Sequence, residues 1–393
     1  MHAENSSKIK ILHLASFSGN TGDFANHQGF YKKFTENIPA EFTQLEMRKF
    51  YKNRAELKFD DDFIKLINNY DLLVLGGGAF FDLKWDYSNT GTTIDFSEDF
   101  IKKIKTPVLV NAMGYHEFGD VDQQNINKFR NFLNLIINNK KWFISVRNDG
   151  TLERMCNRYG ELIDENRVLK VPDSGFFFSP KEYSQFYLDD KNETTWIGLN
   201  VTNELFNKSF NKDLDVDKFN GLISQFINKV LKDDGSRKVI LFPHAHQDVS
   251  TIGIIMNEIE DKYRREKIVV APLFTEGKQP IEQAYDFYRI CSCVIGMRFH
   301  ANVCCVGMNI PTIGLAGHEQ ISSLYDELGL SKRCVKINSS QFVDELLSKL
   351  DSSLEMADVI KKEYSQVNIA LNKRAELYHK RIKDWVNLEV KSK

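Results

Sequence analysis

The sequence predicts an α/β protein made of two Rossmann-like domains that face a cleft. Short apolar runs alternate with loops and longer amphipathic segments throughout the chain, which is typical of parallel α/β architecture. The 393 residues exceed the length at which one hydrophobic core usually stops growing. We therefore expect an N-terminal domain over residues 1–185, a C-terminal domain over residues 190–350, and a helical segment over residues 352–393 that packs back on the N-terminal domain.

Apolar runs predict the strands of the first half. They occupy residues 8–17, 71–81, 107–115 and 141–149, and the run over residues 167–178 closes this half. The first run leads into a turn and a helix over residues 19–38. A further helix is predicted over residues 125–140, because apolar residues recur on one side of it, at Phe129, Phe132, Leu133, Ile136 and Ile137.

The second half repeats the same alternation. Apolar strands are predicted over residues 194–202, 237–246, 267–274, 291–300 and 310–317, with a helix over residues 219–233. A polar stretch over residues 181–195 is the best candidate for the linker between the halves. Residues 352–386 contain no glycine or proline and are predicted to be helical throughout, long enough to reach back across both halves.

Composition indicates a soluble cytoplasmic protein. The hydrophobic fraction of 42% and the charged fraction of 27% are ordinary for a globular chain, and the net charge of −2 does not favour nucleic-acid binding. The six cysteines lack zinc or redox spacing, so buried thiols in a reducing compartment are expected. We expect no leader peptide and no integral membrane segment, because no apolar stretch approaches the roughly 20 residues of a membrane span.

Arg298 and His300 are the strongest candidates for a functional site. They follow the apolar run over residues 293–296, and residues two apart project to the same side of an extended segment. An arginine fork beside a histidine can bind phosphate or carboxylate. A surface arginine and a structural histidine are the alternative. Arg298 and His300 lie just before a second apolar segment and a further strand. This position favours an anion site in which both residues take part in catalysis.

Arg147 also ends an apolar run. It either contacts solvent or contributes to an anion pocket, and we assign it to substrate binding. Asp149, two residues later, is predicted to cap the following helix. His116 lies beyond another strand end and is a candidate acid or base, with Glu117 as its partner or as a solvated neighbour.

Two glycine-containing loops are further candidates. The run Gly76–Gly78 either makes a strand-to-loop turn or lets the backbone approach a ligand, and we assign Gly77 and Gly78 to substrate binding. It matches neither dinucleotide nor Walker A spacing. In GNTGD, Asn20 and Asp23 are assigned to the substrate cleft, although Thr21 or Asp23 would also suit a helix cap.

The segment PHAHQD contains His244, His246 and Asp248. Metal binding, a polar loop and substrate contact are the three interpretations. A metal site would need further ligands that the sequence does not place, so we predict no metal and assign both histidines to substrate binding.

Taken in order, several segments resemble the polysaccharide pyruvyltransferase family. They are GNTGD, VLGGGAFFD, NAMGY, SVRND, VPDSGF, PHAHQD and GMRFHANVCCVGMNIPTIGL. The resemblance implies a fold like that of the two-domain glycosyltransferase B enzymes. It also implies an enzyme that transfers the enolpyruvyl unit of phosphoenolpyruvate to two sugar hydroxyls, giving a cyclic pyruvate ketal and phosphate in polysaccharide biosynthesis.

The resemblance also implies roles for residues and partners. Arg298, His300 and Arg147 would hold the phosphate and carboxylate of phosphoenolpyruvate, and His116 would be a further ligand or proton donor. Phosphoenolpyruvate is the donor substrate and no cofactor is expected. The acceptor is a saccharide, either free or lipid-linked. A lipid-linked acceptor would bring the chain to the inner face of the cytoplasmic membrane, assisted by basic residues that otherwise form a solvated face, Lys373, Arg374, Lys380, Arg381 and Lys383.

The chain departs from the family in two places. Gln320 stands where many members have lysine, and His318 is a candidate to compensate for the missing cation, so we assign it to substrate binding. The family's GQG-like loop is here NAMGYHEFG. A nucleotide-sugar glycosyltransferase of the same fold is the main alternative. Retaining glycosyltransferases of that fold commonly carry two glutamates separated by seven residues just before a Gly–x–Pro turn. Residues 296–306 contain no carboxylate, and Glu319 and Glu327, which have that spacing, lie after Pro311. This alternative is therefore disfavoured. A binding protein without turnover is a third alternative.

Overall fold

The computed structural model describes residues 8–117, 119, 121–182, 194–204, 206 and 215–390. The chain divides into two compact units. The first comprises Met1–Phe17, Phe30–Ser174 and Leu371–Lys393, and the second comprises Ser18–Gly29 and Gly175–Ala370. Most of the linker predicted over residues 181–195 lies outside the described residues.

Strands and helices alternate in the first part of the chain. Its strands are β1 (Ile9–Ala15), β2 (Ala40–Glu46), β3 (Leu72–Gly76), β4 (Phe81–Asp82), β5 (Val108–Met113), β6 (Tyr115–His116), β7 (Trp142–Arg147) and β8 (Val168–Val171). Its helices are α1 (Thr21–Thr35), α2 (Asp61–Ile67), α3 (Glu98–Lys103), α4 (Gln123–Ile137) and α5 (Thr151–Tyr159).

The alternation continues to the C-terminal helices. The strands are β9 (Thr195–Asn200), β10 (Arg237–Leu241), β11 (Ile268–Val270), β12 (Cys293–Gly296), β13 (Thr312–Ala316) and β14 (Cys334–Lys336). The helices are α6 (Val216–Asp233), α7 (His246–Asn257), α8 (Asp261–Glu266), α9 (Lys278–Asp286), α10 (Phe299–Gly307), α11 (Glu319–Glu327), α12 (Phe342–Glu355) and α13 (Ala357–Glu389). Short 3-10 turns occur at Met47–Phe50, Ser174–Phe177, Phe287–Ile290 and Ser331–Arg333.

Each unit is built on a parallel sheet, so the α/β prediction is confirmed. Among the described residues, the first sheet has six strands in the order β2-β1-β3-β5-β7-β8, and the second has six in the order β11-β10-β9-β12-β13-β14. Apolar clusters cover both faces of each sheet. Burial on both faces explains why the central strands are continuous apolar runs. The short strands β4 and β6 pair separately, with Asp82 opposite His116.

The C-terminal helical segment is interrupted once. The sequence predicts a helix throughout residues 352–386, but α12 ends at Glu355 and α13 starts at Ala357, with Met356 between them. Within the second unit, Tyr364 of α13 donates its hydroxyl proton to the carbonyl of Thr312 at 3.0 Å. Within the first unit, Tyr378 and Ile382 of α13 pack in the apolar cluster on β1, β3 and β5.

No helix of the part of the chain that the structure describes combines the length and apolar character needed to cross a bilayer.

Candidate functional site

Three buried polar side chains meet at the carboxyl end of the first sheet. Arg147 ends β7, His116 ends β6, and Asp149 lies in the loop after β7. The Nε of Arg147 donates to Asp149 Oδ2 at 2.5 Å, and its Nη2 lies 3.2 Å from His116 Nε2. Arg147 and His116, predicted separately, are therefore neighbours, and Asp149 belongs with them. We call these three residues the Arg147 cluster.

The charges of the Arg147 cluster set its proton positions. Burial opposes ionisation of Asp149, but Arg147, His116 and Arg154 outweigh it and lower the pKa of Asp149 to about 2. Asp149 is therefore a carboxylate that orients the guanidinium. Because arginine only donates hydrogen bonds, the Arg147 contact requires His116 Nε2 to be an acceptor. The other ring nitrogen, Nδ1, then carries the proton and can donate a hydrogen bond.

The prediction that Asp149 caps helix α5 is wrong. Gly150 is the N-cap residue, with φ of +78°, and as a glycine it has no side chain to cap the helix. Asp149 Oδ1 instead accepts from the hydroxyl of Thr151 at 2.6 Å. The carboxylate is thereby held between the helix start and Arg147.

Glycines bring the strand ends of the first unit close together. Gly76 has φ of +123°, and a Cβ there would lie 2.5 Å from the carbonyl oxygen of Asn111. Gly77 donates its amide proton to that oxygen at 3.0 Å, and Gly78 accepts from the amide of Gly114 at 3.0 Å. Close approach of β3 to β5 thus accounts for the glycine at position 76. Contact of Gly77 and Gly78 with substrate stays a prediction.

A buried network beneath this edge was missed by sequence reasoning. The hydroxyl of Tyr378 lies 2.7 Å from Ser145 Oγ and donates to Asn111 Oδ1 at 2.9 Å. Ser145 in turn accepts from the amide of Ala112, which has φ of +44°. Ala112 lies at an irregularity in β5, between Val110 and Met113. This network stabilises the strand end that leads to His116, and no local pattern signals it.

Arg298 is the centre of the second unit's polar cluster. Its Nε donates to Asp248 Oδ2 at 2.9 Å, and its Nη2 donates to Asp248 Oδ1 at 2.6 Å and to Glu204 Oε2 at 2.9 Å. Asp248 is fully buried, while Glu204 is about one-third exposed. Burial opposes ionisation of Asp248, but the bonds from Arg298 outweigh it and lower the pKa of that carboxyl. Among the described residues Nη1 of Arg298 has no bonding partner, so it remains available to a ligand.

The backbone of Arg298 is held where the strand order of the second sheet reverses. Strand β9 lies between β10 and β12, and ligands of open α/β sheets bind beyond the strand ends at such a point. Asn200, the last residue of β9, accepts from the amide of Arg298 at 2.8 Å. Asn302 Nδ2 donates to the carbonyls of Gly296 and Arg298, both at 2.9 Å. These amides position the turn between β12 and α10.

His300 does not lie on an extended segment, so that part of the sequence reasoning is wrong. Arg298 is the N-cap of α10, and His300 is the second residue of the helix. The imidazole is buried against Gly22, where a Cβ would lie 2.6 Å from His300 Nδ1. The residue type at position 22 therefore controls how closely α1 approaches His300.

The start of α1 belongs to the second unit and is already capped. Asn20 Oδ1 accepts from the amide of Gly22 at 2.8 Å, and the amide of Thr21 donates to the carbonyl of His244 at 3.0 Å. Asn20 thus has the capping role that the sequence offered to Thr21 or Asp23. Asp23 lies in the first turn of the helix. Substrate contact by Asn20 and Asp23 stays a prediction.

The two histidines of PHAHQD have different environments. His244 is buried with its Nε2 2.7 Å from the hydroxyl of Tyr288, and burial together with neighbouring Arg298 and His300 lowers its pKa to about 3 despite Asp248. His246 is exposed at the first position of α7. Asp248 accepts from the amides of His244 and Ala245 as well as from Arg298. Within the described ranges, no three His, Cys, Asp or Glu side chains are arranged to hold a metal ion.

His318 caps the helix that contains Gln320. Its Nδ1 accepts from the amide of Gln320 at 3.0 Å, and it is the N-cap of α11. Nδ1 is therefore used within the fold. Substrate contact by His318 stays a prediction.

Comparison with known proteins identifies a family and a fold. The family model of polysaccharide pyruvyl transferase matches residues 22–319. No curated protein sequence matches the chain.

Solved structures share the fold over nearly the whole chain. A putative UDP-N-acetylglucosamine 2-epimerase from Listeria monocytogenes has 12% identity and a TM-score of 0.54, covering 91% of both chains. MnaA from S. aureus, solved with UDP, has 9% identity and a TM-score of 0.56, covering 97% of this chain and 96% of its own. A glycosyltransferase from Rickettsia africae has 11% identity and a TM-score of 0.54, covering 98% and 100%. At these identities the likeness shows the glycosyltransferase B type of fold alone.

Proposed function

This chain belongs to the polysaccharide pyruvyl transferase family, and on that premise we propose that it transfers pyruvate from phosphoenolpyruvate to a saccharide as a cyclic ketal. The observation that supports this most is the Arg298 site. A guanidinium fixed by a buried carboxylate has one nitrogen, Nη1, without a hydrogen bond to the residues that the structure describes, and His300 lies two residues away at a helix start. Phosphoenolpyruvate carries a phosphate and a carboxylate, the two anionic groups that a guanidinium binds through charge-assisted hydrogen bonds.

The Arg298 site is assigned to the donor substrate. Arg298 would neutralise charge that builds on the departing phosphate, because a fixed cation stabilises a charge that develops in the transition state. His300 would transfer protons. Holding the guanidinium on Asp248 restricts its rotation before substrate binds, so no reorganisation is needed during the reaction.

The Arg147 cluster is assigned to substrate binding in the first unit. Arg147 is buried and oriented by Asp149, and His116 lies against it. An arginine and a histidine at the carboxyl edge of the sheet therefore recur in both units. His116 is proposed as a further ligand of the substrate, to which it donates a hydrogen bond from Nδ1.

The proposed reaction joins C2 of phosphoenolpyruvate to two hydroxyl oxygens of one sugar. A proton adds to the methylene carbon, C3, and the first hydroxyl attacks C2 and loses its proton. Phosphate leaves with its bridging oxygen, and the second hydroxyl attacks C2 and loses its proton. One hydroxyl proton thus ends on C3 and the other leaves with phosphate. The atoms and electrons balance without an oxidant or a reductant, so the scheme uses no redox cofactor. Two hydroxyls on one sugar make the second attack intramolecular, which favours it.

The test of the donor is binding of phosphoenolpyruvate measured against a panel of nucleotide sugars. A ligand that binds the native state raises the melting temperature by mass action. We expect phosphoenolpyruvate to raise it and nucleotide sugars to leave it unchanged. Stabilisation by a nucleotide sugar but not by phosphoenolpyruvate would instead identify a glycosyltransferase and refute the proposal.

Two variants locate the donor site. Arg298→Lys retains the charge but cannot make the forked contact with Asp248, so we expect loss of the phosphoenolpyruvate shift. Arg265→Lys is the matched control, because Arg265 is an exposed arginine of α8 that pairs with Asp261. Melting without ligand shows whether each variant is folded. Release of phosphate on adding saccharides then distinguishes an enzyme from a binding protein.

A further inference from the structure

Three aromatic side chains cluster on two loops of the first unit. The rings of Tyr51 and Trp85 have centroids 5.2 Å apart, and those of Trp85 and Tyr87 are 5.7 Å apart and nearly perpendicular. Tyr87 is 41% exposed, although large aromatic side chains are usually covered. We call Tyr51, Trp85 and Tyr87 the aromatic surface. None of them is used by the proposed reaction.

Asp82 orients Trp85, the central ring of the aromatic surface. The indole Nε1 of Trp85 donates to Asp82 Oδ2 at 3.1 Å, and Thr93 Oγ1 donates to Asp82 Oδ1 at 2.6 Å. Lys84 completes the group, with its Nζ 2.7 Å from Asp82. The buried carboxylate therefore determines the orientation of the Trp85 ring. A ring that is oriented before binding loses little conformational entropy when a ligand arrives.

The position of the aromatic surface connects it with His116. Asp82 is the last residue of β4 and pairs with His116 of β6, and the amide of Leu83 donates to the carbonyl of His116 at 3.1 Å. Trp85 follows Asp82 by three residues. One two-stranded sheet thus supports both the aromatic surface and a member of the Arg147 cluster.

The chemistry of the aromatic surface matches a sugar ring. Pyranose rings present a face of C–H groups that packs on aromatic rings, while their hydroxyls need polar partners at the rim. Lys84 Nζ lies over the Trp85 ring, 5.1 Å from its centroid, and Lys52 Nζ lies over the Tyr87 ring at 5.3 Å, so each ring has an ammonium donor on one of its faces.

We propose that the aromatic surface binds a pyranose ring of the acceptor saccharide, an inference that rests on the proposed function. The sugar ring packs on Tyr87 and Trp85, and its hydroxyls bond to Lys52 and Lys84. This gives the acceptor a binding site on the loops over residues 51–52 and 84–87, next to the strand that ends in His116.

The test uses an array of immobilised neutral and acidic oligosaccharides. The wild-type chain is compared with Tyr87→Phe, which keeps the ring, and with Tyr87→Ala, which removes it. Leu377→Ala is the control, because Leu377 is 58% exposed on α13 of the same unit and lies outside the aromatic surface. Circular dichroism and melting confirm that each variant is folded.

We expect wild type, Tyr87→Phe and Leu377→Ala to bind the same saccharides, and Tyr87→Ala to bind them about fivefold or more weakly, the size of one aromatic packing contact. Equal binding by all four proteins, or no saccharide binding by the wild type, would overturn the inference. The phosphoenolpyruvate melting shift is measured on the same samples. If that shift is retained while Tyr87→Ala binds saccharide normally, only the aromatic surface fails. If the shift is absent in the wild type, the proposed donor fails instead.

Discussion

Gly114 lies against the guanidinium of Arg147, and replacing it with alanine tests the Arg147 cluster without removing a charge. A Cβ at Gly114 would lie 2.6 Å from Nη2, 2.8 Å from Cζ and 2.9 Å from Nε of Arg147. The atoms that it meets form a planar group that Asp149 holds at 2.5 Å. The guanidinium therefore has to move, or the backbone of β5 and β6 has to shift.

The size of the displacement follows from these distances. Ordinary contact begins at 3.4 Å, so Nη2 has to move by 3.4 − 2.6, or about 0.8 Å. Overpacking of this kind costs about 1–3 kcal/mol of the free energy of unfolding. Misplacing a substrate-binding group by about 1 Å lowers turnover on the order of 100-fold. We expect Gly114→Ala to show both losses.

The assay combines phosphate release from phosphoenolpyruvate with denaturant unfolding. Gly253→Ala is the control, because a Cβ there, in the middle of α7, meets no atom of the described residues within 4 Å. That control should be neutral or stabilising by up to about 1 kcal/mol, since alanine is the better helix former. Wild-type turnover in a destabilised Gly114→Ala protein would refute a role for Arg147 in the reaction. Unchanged stability would refute its packing against Gly114.

Two further predictions concern buried and paired charges. His379 is buried beside Phe30, and burial together with Lys33 lowers its pKa from 6.5 to about 4. As the pH falls, His379 therefore takes up a proton in the unfolded chain before it does so in the folded chain. The free energy of unfolding that is present above pH 6.5 is lost as the pH falls towards 4, and the loss is about 2 kcal/mol at pH 5. His379→Phe should lose about 2 kcal/mol less than wild type between pH 8 and pH 5 in urea unfolding, and equal losses would contradict the assignment. Glu204 places a second carboxylate on Arg298. Because it is partly exposed, Glu204→Gln should tighten phosphoenolpyruvate binding by about 0.2–1 kcal/mol, or roughly 1.4- to 5-fold, in calorimetric titration. Weaker binding would show that Glu204 supports the anion site.

The central strands were predictable because both of their faces are covered. Burial on two sides requires apolar residues at successive positions, as in Leu72–Gly76 and Val108–Met113. The edge strand Ala40–Glu46 was missed, because only part of it is buried and its residues are mixed. The helix boundary at Met356 was also missed, since neither glycine nor proline marks it.

The candidate site was predictable in part. Strand ends identified Arg147, His116 and Arg298, because polar residues that follow a buried strand lie at the sheet edge. The carboxylates that orient Arg298 were not paired with it. Glu204 precedes Arg298 by 94 residues and Asp248 precedes it by 50. Local sequence patterns span only a few residues, so they do not reveal pairs of residues this far apart in the chain.

Local sequence patterns therefore determine which residues are buried in strands and where each strand ends, since side-chain burial acts residue by residue. Pairing between distant residues depends on how the chain folds back on itself. Tyr378 bonds to Asn111 across 267 residues, and residues 18–29 join the second unit although their neighbours on both sides belong to the first. The hydrogen-bonding geometry of the arginines and histidines exists only after these segments have packed together.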